Sequence, residues 1–268
     1  MADVRDLLSW SQQGGLARAL QVSGSKLRAD PDRVMAMGTS AGGHLALSLV
    51  RKFDIIHSSS HSLRSLWQAF ANVVIKAWDV PKPPLAILDF YGAKCFEDDF
   101  WSRPVAQIKG ILPPKPPPAF FEPLFAEKET FTGGVSLEGQ AGPAAQGPDF
   151  TDPRQAYALY NIGEGKMLQS IWPHAPTDLH LVDPYLNIDP SWPPTVIVHG
   201  NRDFMIPIHI SKKFEARLKE NNVESALIEV EGEPHTFVGK MEKGSQTWVT
   251  QRQGFDFLDD VLSRSYKE

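Results

Sequence analysis

The stretch Gly38-Thr39-Ser40-Ala41-Gly42 constrains this chain more than any other, because it joins a strand-like run to a helix-like one. Arg33-Val34-Met35-Ala36-Met37 reads as a short buried strand, and the Ala- and Leu-rich sequence from Ala41 to Val50 reads as a helix. A strand that enters a helix through so short a link must turn sharply at Ser40. A serine on a sharp, exposed turn is where a nucleophilic hydroxyl has to stand, since it needs both a base and an open approach. The flanking glycines let the backbone come close where a Cβ would collide. A Gly-x-Ser-x-Gly pentapeptide also occurs as an ordinary glycine-rich turn, so the partners of the serine must be sought elsewhere.

Two other segments supply them. Pro194-Thr195-Val196-Ile197-Val198-His199-Gly200 has the pattern of a buried strand and runs into Asn201-Arg202-Asp203, which sets a carboxylate just past a strand end. Glu224 to Glu231 alternates Ala226, Ile228 and Val230 with Leu227 and Glu229 and leads into Gly232-Glu233-Pro234-His235. In an open α/β sheet the loops beyond the carboxyl ends of the strands share one edge, so serine, aspartate and histidine can converge there although they are remote in sequence. Serine, then aspartate, then histidine is the chain order of the α/β-hydrolase fold.

Gly38-Thr39-Ser40-Ala41-Gly42-Gly43, His199-Gly200-Asn201-Arg202-Asp203 and Gly232-Glu233-Pro234-His235-Thr236-Phe237 together resemble the esterase/lipase branch of the α/β-hydrolases, near the hormone-sensitive-lipase and feruloyl-esterase-like groups. The resemblance covers roughly residues 25–92 and 183–262. It implies a three-layer α/β-hydrolase sandwich with a mostly parallel sheet and a serine hydrolase acting on a small-molecule ester or related acyl substrate, without metal or cofactor. Ser40 would attack the acyl carbonyl, His235 would serve as base and then acid, and Asp203 would orient and stabilise the imidazolium. The backbone N–H of Ala41 would be one oxyanion donor. Family analogy alone extends the substrates to acylated intermediates of secondary metabolism. Two other readings share these residues: a prolyl-oligopeptidase-like serine peptidase, and a catalytically impaired homologue that binds a ligand or partner.

The pattern departs from the family before the serine. About 40 residues precede it, where the fold ordinarily carries several strands and a His-Gly-Gly oxyanion loop. Gln13-Gly14-Gly15 lies in a helix-like segment, Val4 to Leu20, and does not fit that role. The chain therefore reads as amino-terminally shortened. Losing one oxyanion donor costs on the order of 10² to 10³ in turnover. A missing neighbour would also leave the strand before Ser40 as an apolar edge, which predicts association through that edge.

At 268 residues, 42% hydrophobic and 22% charged, the chain can bury a substantial core as a single α/β-hydrolase domain over residues 1–268. Residues 93–190 read as an inserted cap, stiff at Pro113-Pro114-Lys115-Pro116-Pro117-Pro118, with a mobile loop at about 128–150. Around that loop, Phe120, Phe121, Phe125, Tyr157, Tyr160, Ile171 and Trp172 supply apolar area for a substrate pocket or for packing. No run of about 18 apolar residues predicts a membrane span, and a net charge of −5 without a basic cluster gives no support for nucleic-acid binding. The lone Cys95 excludes an internal disulfide and points to a reducing, cytoplasmic setting.

Helical apolar spacing marks Ile210, Phe214 and Leu218 after a Pro207 start, and Phe255, Leu258 and Leu262 near the carboxyl end. Among other titratable groups, His44 reads as structural, His199 as a brace for the Asp203 turn, and Asp89 as the best competing acid.

Overall fold

A computed structural model describes residues 2–50, 82–126, 149–172, 179–237 and 242–267. Its backbone separates into two units, Met1–Cys95 with His180–Glu268, and Phe96–Leu179.

The first unit is built on a parallel sheet. Among the described residues its strands are β1 (Ala36–Thr39), β2 (Ile87–Phe90), β3 (Thr195–Gly200) and β4 (Ser225–Val230), in the spatial order β1-β2-β3-β4. Ala36 is in register with Ile87, Ile87 with Thr195, and Thr195 with Ser225. Every residue of β2 and β3 is buried, including the polar Asp89, Thr195 and His199, because both faces of a parallel sheet are covered.

The two faces divide by the period-2 alternation of a strand. Leu88, Phe90, Val196, Val198 and Val230 form one face with Phe237, against the carboxyl-terminal helix Gln246–Ser265. Gly254 of that helix has the Leu88 and Val198 side chains where a Cβ would sit, so helix and sheet approach more closely than a larger residue would allow. The buried positions of this helix are Thr247, Gln251, Gly254 and Val261, whereas Phe255 is 38% exposed. Of the Phe255, Leu258, Leu262 stripe expected from sequence, Leu258 packs on this core and the Phe255 ring lies 5.9 Å from that of Phe90, beside the close approach made at Gly254. On the opposite side, Ile210, Phe214 and Leu218 of the helix Ile208–Glu220 are fully buried, as their spacing predicts. Pro207 is the N-cap of that helix rather than its first turn.

The amino-terminal segment read as one helix is two, α1 (Ala2–Gln12) and α2 (Gly15–Val22), because Gly14 adopts φ 79° between them. Arg5 of α1 donates to the Ser48 carbonyl and Gln12 to the Lys82 carbonyl. After β1 comes α3 (Ala41–Leu47), continued by a 3-10 turn over Ser48–Val50.

The second unit contains α4 (Ala106–Lys109), α5 (Glu122–Ala126), α6 (Pro153–Glu164) and α7 (Met167–Ile171). Asp152 caps α6 through the Arg154 N–H, and Gly165 at φ 69° ends it. Phe121, Ala156 and Tyr160 form its core with Phe120 and Tyr157, and Tyr160 Oη donates to the Pro113 carbonyl at 2.7 Å, fixing the proline run to α6. Phe125 of α5 is 71% exposed. Most of the 128–150 segment expected to be mobile lies outside the described residues. The helix Ile208–Glu220 is hereafter α8 and Gln246–Ser265 α9.

Candidate active site

Ser40 occupies the corner between β1 and α3 with φ 52° and ψ −119°, a backbone conformation that an L-residue holds only under constraint from its surroundings. The constraint is visible. Ser40 N–H donates to the Phe90 carbonyl at 2.9 Å, anchoring the turn to β2, and the Ser40 carbonyl accepts from His44 N–H at 3.2 Å as α3 begins. A Cβ on Gly38 would overlap the Gly42 carbonyl, and one on Gly43 would overlap the Asp89 carboxylate. The side chain of Ser40 caps nothing in α3. Its Oγ instead lies 3.0 Å from His235 Nε2.

His235 reaches that position from the loop after β4. Asn201 N–H donates to the Val230 carbonyl, Arg202 N–H to the Glu233 carbonyl, and Gly232 N–H to Asn201 Oδ1, so the loops after β3 and β4 are strapped together. Gly200 permits this, since a Cβ there would strike the Glu233 carbonyl. Thr236 and Phe237 follow His235 with φ 71° and 55°, turning the chain sharply back into the core. The His235 ring packs on Tyr91 with 4.7 Å between centroids, and Tyr91 itself has φ 42° at the end of β2.

Asp203 completes the line. Its Oδ2 lies 2.6 Å from His235 Nδ1 and 3.1 Å from His199 Nε2, while Oδ1 accepts from the Met205 and Ile206 N–H groups at 2.8 and 2.9 Å. Burial on its own would raise the Asp203 pKa, but the hydrogen bonds from His199 and His235 outweigh it and hold the carboxyl down at about 2. It is therefore ionised at neutral pH and can only accept. Nδ1 of His235 must then carry the proton, which leaves Nε2 of the neutral ring as an acceptor for the Ser40 hydroxyl.

Of the other sequence candidates, Asp89 and His44 stand apart from this line, whereas His199 meets it at Asp203 Oδ2. Asp89, the competing acid, points to the α8 side of the sheet. It accepts from Lys94 Nζ at 2.6 Å and from Gly92 N–H at 2.8 Å, and both charged side chains are fully buried. His44 is buried, with Nδ1 3.1 Å from the Ala93 carbonyl, and burial lowers its pKa to about 4. His199 braces the Asp203 turn, as expected, through Nε2 to the Ile206 carbonyl at 2.7 Å. Sequence reasoning passed over Ser211, Tyr91 and Lys94. Ser211 had one detectable signal, a hydroxyl beside Ile210 on an apolar helix face; nothing in the order of residues marks the other two.

Among the described residues no group of three or more His, Cys, Asp or Glu side chains could hold a metal ion, and no helix is long and apolar enough to cross a membrane.

No protein-family profile matches the chain. It is 24% identical over 300 residues to the non-reducing polyketide synthase pkbA of Emericella nidulans, covering 98% of this chain and 11% of the relative. It is 26% identical over 293 residues to the non-reducing polyketide synthase atr1 of Stereocaulon alpinum, covering 100% of this chain and 10% of the relative. The chain thus spans about a tenth of the length of these curated relatives. Among solved structures it is similar to a propionate-bound thermophilic esterase from Thermogutta terrifontis, at 19% identity and a TM-score of 0.46, over 97% of this chain and 64% of that one. A truncated carbohydrate esterase from gut microbiota aligns at 15% identity and a TM-score of 0.47, over 97% and 67% of the two chains. By its parallel sheet, its strand–turn–helix at Ser40 and the order in which the strand-end loops deliver serine, aspartate and histidine, the protein has the α/β-hydrolase fold.

Proposed function

We propose that this protein is a serine hydrolase that cleaves a carboxylic ester or a related acyl bond through an acyl-enzyme on Ser40. One observation carries the reading: the hydrogen-bonded line from Ser40 Oγ through His235 to Asp203, with 3.0 Å and 2.6 Å between the heavy atoms. As Oγ bonds to the substrate carbonyl carbon, its proton passes to His235 Nε2, and Asp203 stabilises the imidazolium from the Nδ1 side. The oxyanion takes a hydrogen bond from Ala41 N–H, which opens α3 and so has no acceptor within the helix. Collapse of the tetrahedral intermediate breaks the bond to the leaving group, which takes the Nε2 proton. Water then repeats the sequence: His235 removes its proton, the oxygen bonds to the acyl carbon, and Ser40 leaves with the proton restored.

The relatives are named as polyketide synthases, which supports an acyl group of secondary metabolism, in ester or thioester linkage, as the substrate. The single, buried Cys95 supports work in a reducing, cytoplasmic compartment.

The test is labelling with a fluorophosphonate probe, followed by turnover of nitrophenyl esters of graded chain length. Wild type is expected to be labelled at Ser40 and to hydrolyse the shorter esters, with both signals lost in Ser40→Ala and labelling sharply slowed in His235→Ala. Unchanged labelling of Ser40→Ala would remove this serine as the nucleophile.

A further inference from the structure

Asp203 is approached by two imidazoles, those of His235 and His199. His199 Nε2 faces the Ile206 carbonyl at 2.7 Å and Asp203 Oδ2 at 3.1 Å. Neither has a proton to give while Asp203 is ionised, so Nε2 carries the hydrogen and shares it between them. On the other side of the ring, Nδ1 lies 2.7 Å from Ser211 Oγ, and with the single hydrogen on Nε2 it is the acceptor for the hydroxyl there. Both His199 and Ser211 are fully buried. Strand alternation puts His199 on the α8 side of β3, and α8 presents Ser211 to it, so this contact joins two elements of one unit.

We propose that His199, locked by Ser211, is a positioning residue that sets how strongly Asp203 attracts the Nδ1 proton of His235. The proposal rests on the reading of Ser40, His235 and Asp203 as a catalytic line. A carboxylate oxygen that accepts a second hydrogen bond has less charge left for the first. His199 therefore keeps Asp203 from over-stabilising the His235 imidazolium, which leaves Nε2 available to take the Ser40 proton. Ser211 strengthens the effect, because a hydroxyl donating to Nδ1 polarises the ring and makes Nε2–H a better donor. Among the described residues, the groups in contact with His235 include Asp203 at Nδ1, Tyr91 against its ring and the Ser40 hydroxyl at Nε2. Those facing His199 are Asp203 and, at 6.3 Å between ring centroids, Tyr91.

The experiment is an NMR titration of the His235 ring in the full chain, for wild type, Ser211→Ala, His199→Phe and His199→Gln. In His199→Phe the His235 pKa is expected to rise by about half a unit or more, with a smaller rise in Ser211→Ala. His199→Gln, whose amide can donate from the same side, is expected to return close to wild type. The acid limb of fluorophosphonate labelling against pH moves in the same direction, a change that loss of packing alone would not order in this way. A His235 titration unchanged or lowered in both Ser211→Ala and His199→Phe overturns the proposal. Should His199→Phe not fold, Ser211→Ala, which removes a single hydroxyl, decides the matter alone. Absence of Ser40 labelling in wild type would overturn the hydrolase reading instead, while the ring titration would still report the His199 coupling.

Discussion

Ser40 Oγ and His235 Nε2 lie 3.0 Å apart although 195 positions separate the two residues in the chain. They follow β1 and β4, at opposite edges of the described sheet, three strand spacings or about 14 Å apart. The His235 loop must therefore cross the ends of β3 and β2 to reach the serine. It does so by bonding to the Asn201-Arg202 turn after β3 and stacking on Tyr91 after β2. The left-handed backbone at Ser40, Tyr91 and Thr236 is concentrated along this crossing.

The two glycines of the Ser40 turn should respond differently to the same change. Gly38→Ala brings a Cβ into the Gly42 carbonyl and is expected to slow Ser40 labelling by at least about tenfold, since a small displacement of a nucleophile is costly. Gly42 has open space where its Cβ would sit, so Gly42→Ala should keep or raise stability by up to about 1 kcal/mol, the helix preference for alanine. Urea unfolding of both variants beside the labelling rates checks the contrast.

Acid should weaken the fold in two separate windows. His44 is held neutral, its pKa lowered from 6.5 to about 4 chiefly by burial, so between those values the unfolded chain binds more protons than the folded one. Its contribution, on the order of 3 kcal/mol, is present above pH 6.5 and is lost as the pH falls towards 4. Asp203, lowered from 3.8 to about 2, contributes on the order of 2 kcal/mol that is present above about pH 4 and lost as the pH falls through 2. Urea midpoints from pH 7 to 4 should fall for wild type and flatten in His44→Gln.

Lys94→Met should destabilise the protein by about 3 to 5 kcal/mol, because it leaves the fully buried Asp89 carboxylate without its cation. Asp89 also holds Gly92 N–H, next to the Tyr91 ring that supports His235. Chemical denaturation gives the stability change, and a loss below about 1 kcal/mol would show that water or another group replaces the lysine.

The edge of β1 predicts self-association. Among the described residues β1 pairs only with β2, and Met37 is 55% exposed on it. Light scattering after size exclusion should give a mass above that of one chain, reduced in Met37→Lys. A monomeric mass at all concentrations for both proteins would refute this.

Much of the site could be read without coordinates, because local sequence carries local constraints. Gly38 to Gly42 must turn sharply whatever surrounds it, the apolar Val196-Ile197-Val198 of β3 is what a strand covered on both faces needs, and Asp203 and His235 stand in the loops just past their strands. Chain order admits either acid, since Asp89 and Asp203 both lie between Ser40 and His235, and the resemblance of the His199–Asp203 motif is what favours Asp203. Tertiary structure decided what no local pattern encodes. Asp89 and Asp203 both follow the α/β pattern near a strand end, but side-chain alternation sends Asp89 to Lys94 and loop strapping brings Asp203 to His235. The same holds for Ser211 and Tyr91, whose roles depend on which buried groups face them. Hydrogen bonding between buried side chains is set by three-dimensional placement to within a few tenths of an ångström, and periodicity in sequence fixes only the face on which a residue stands.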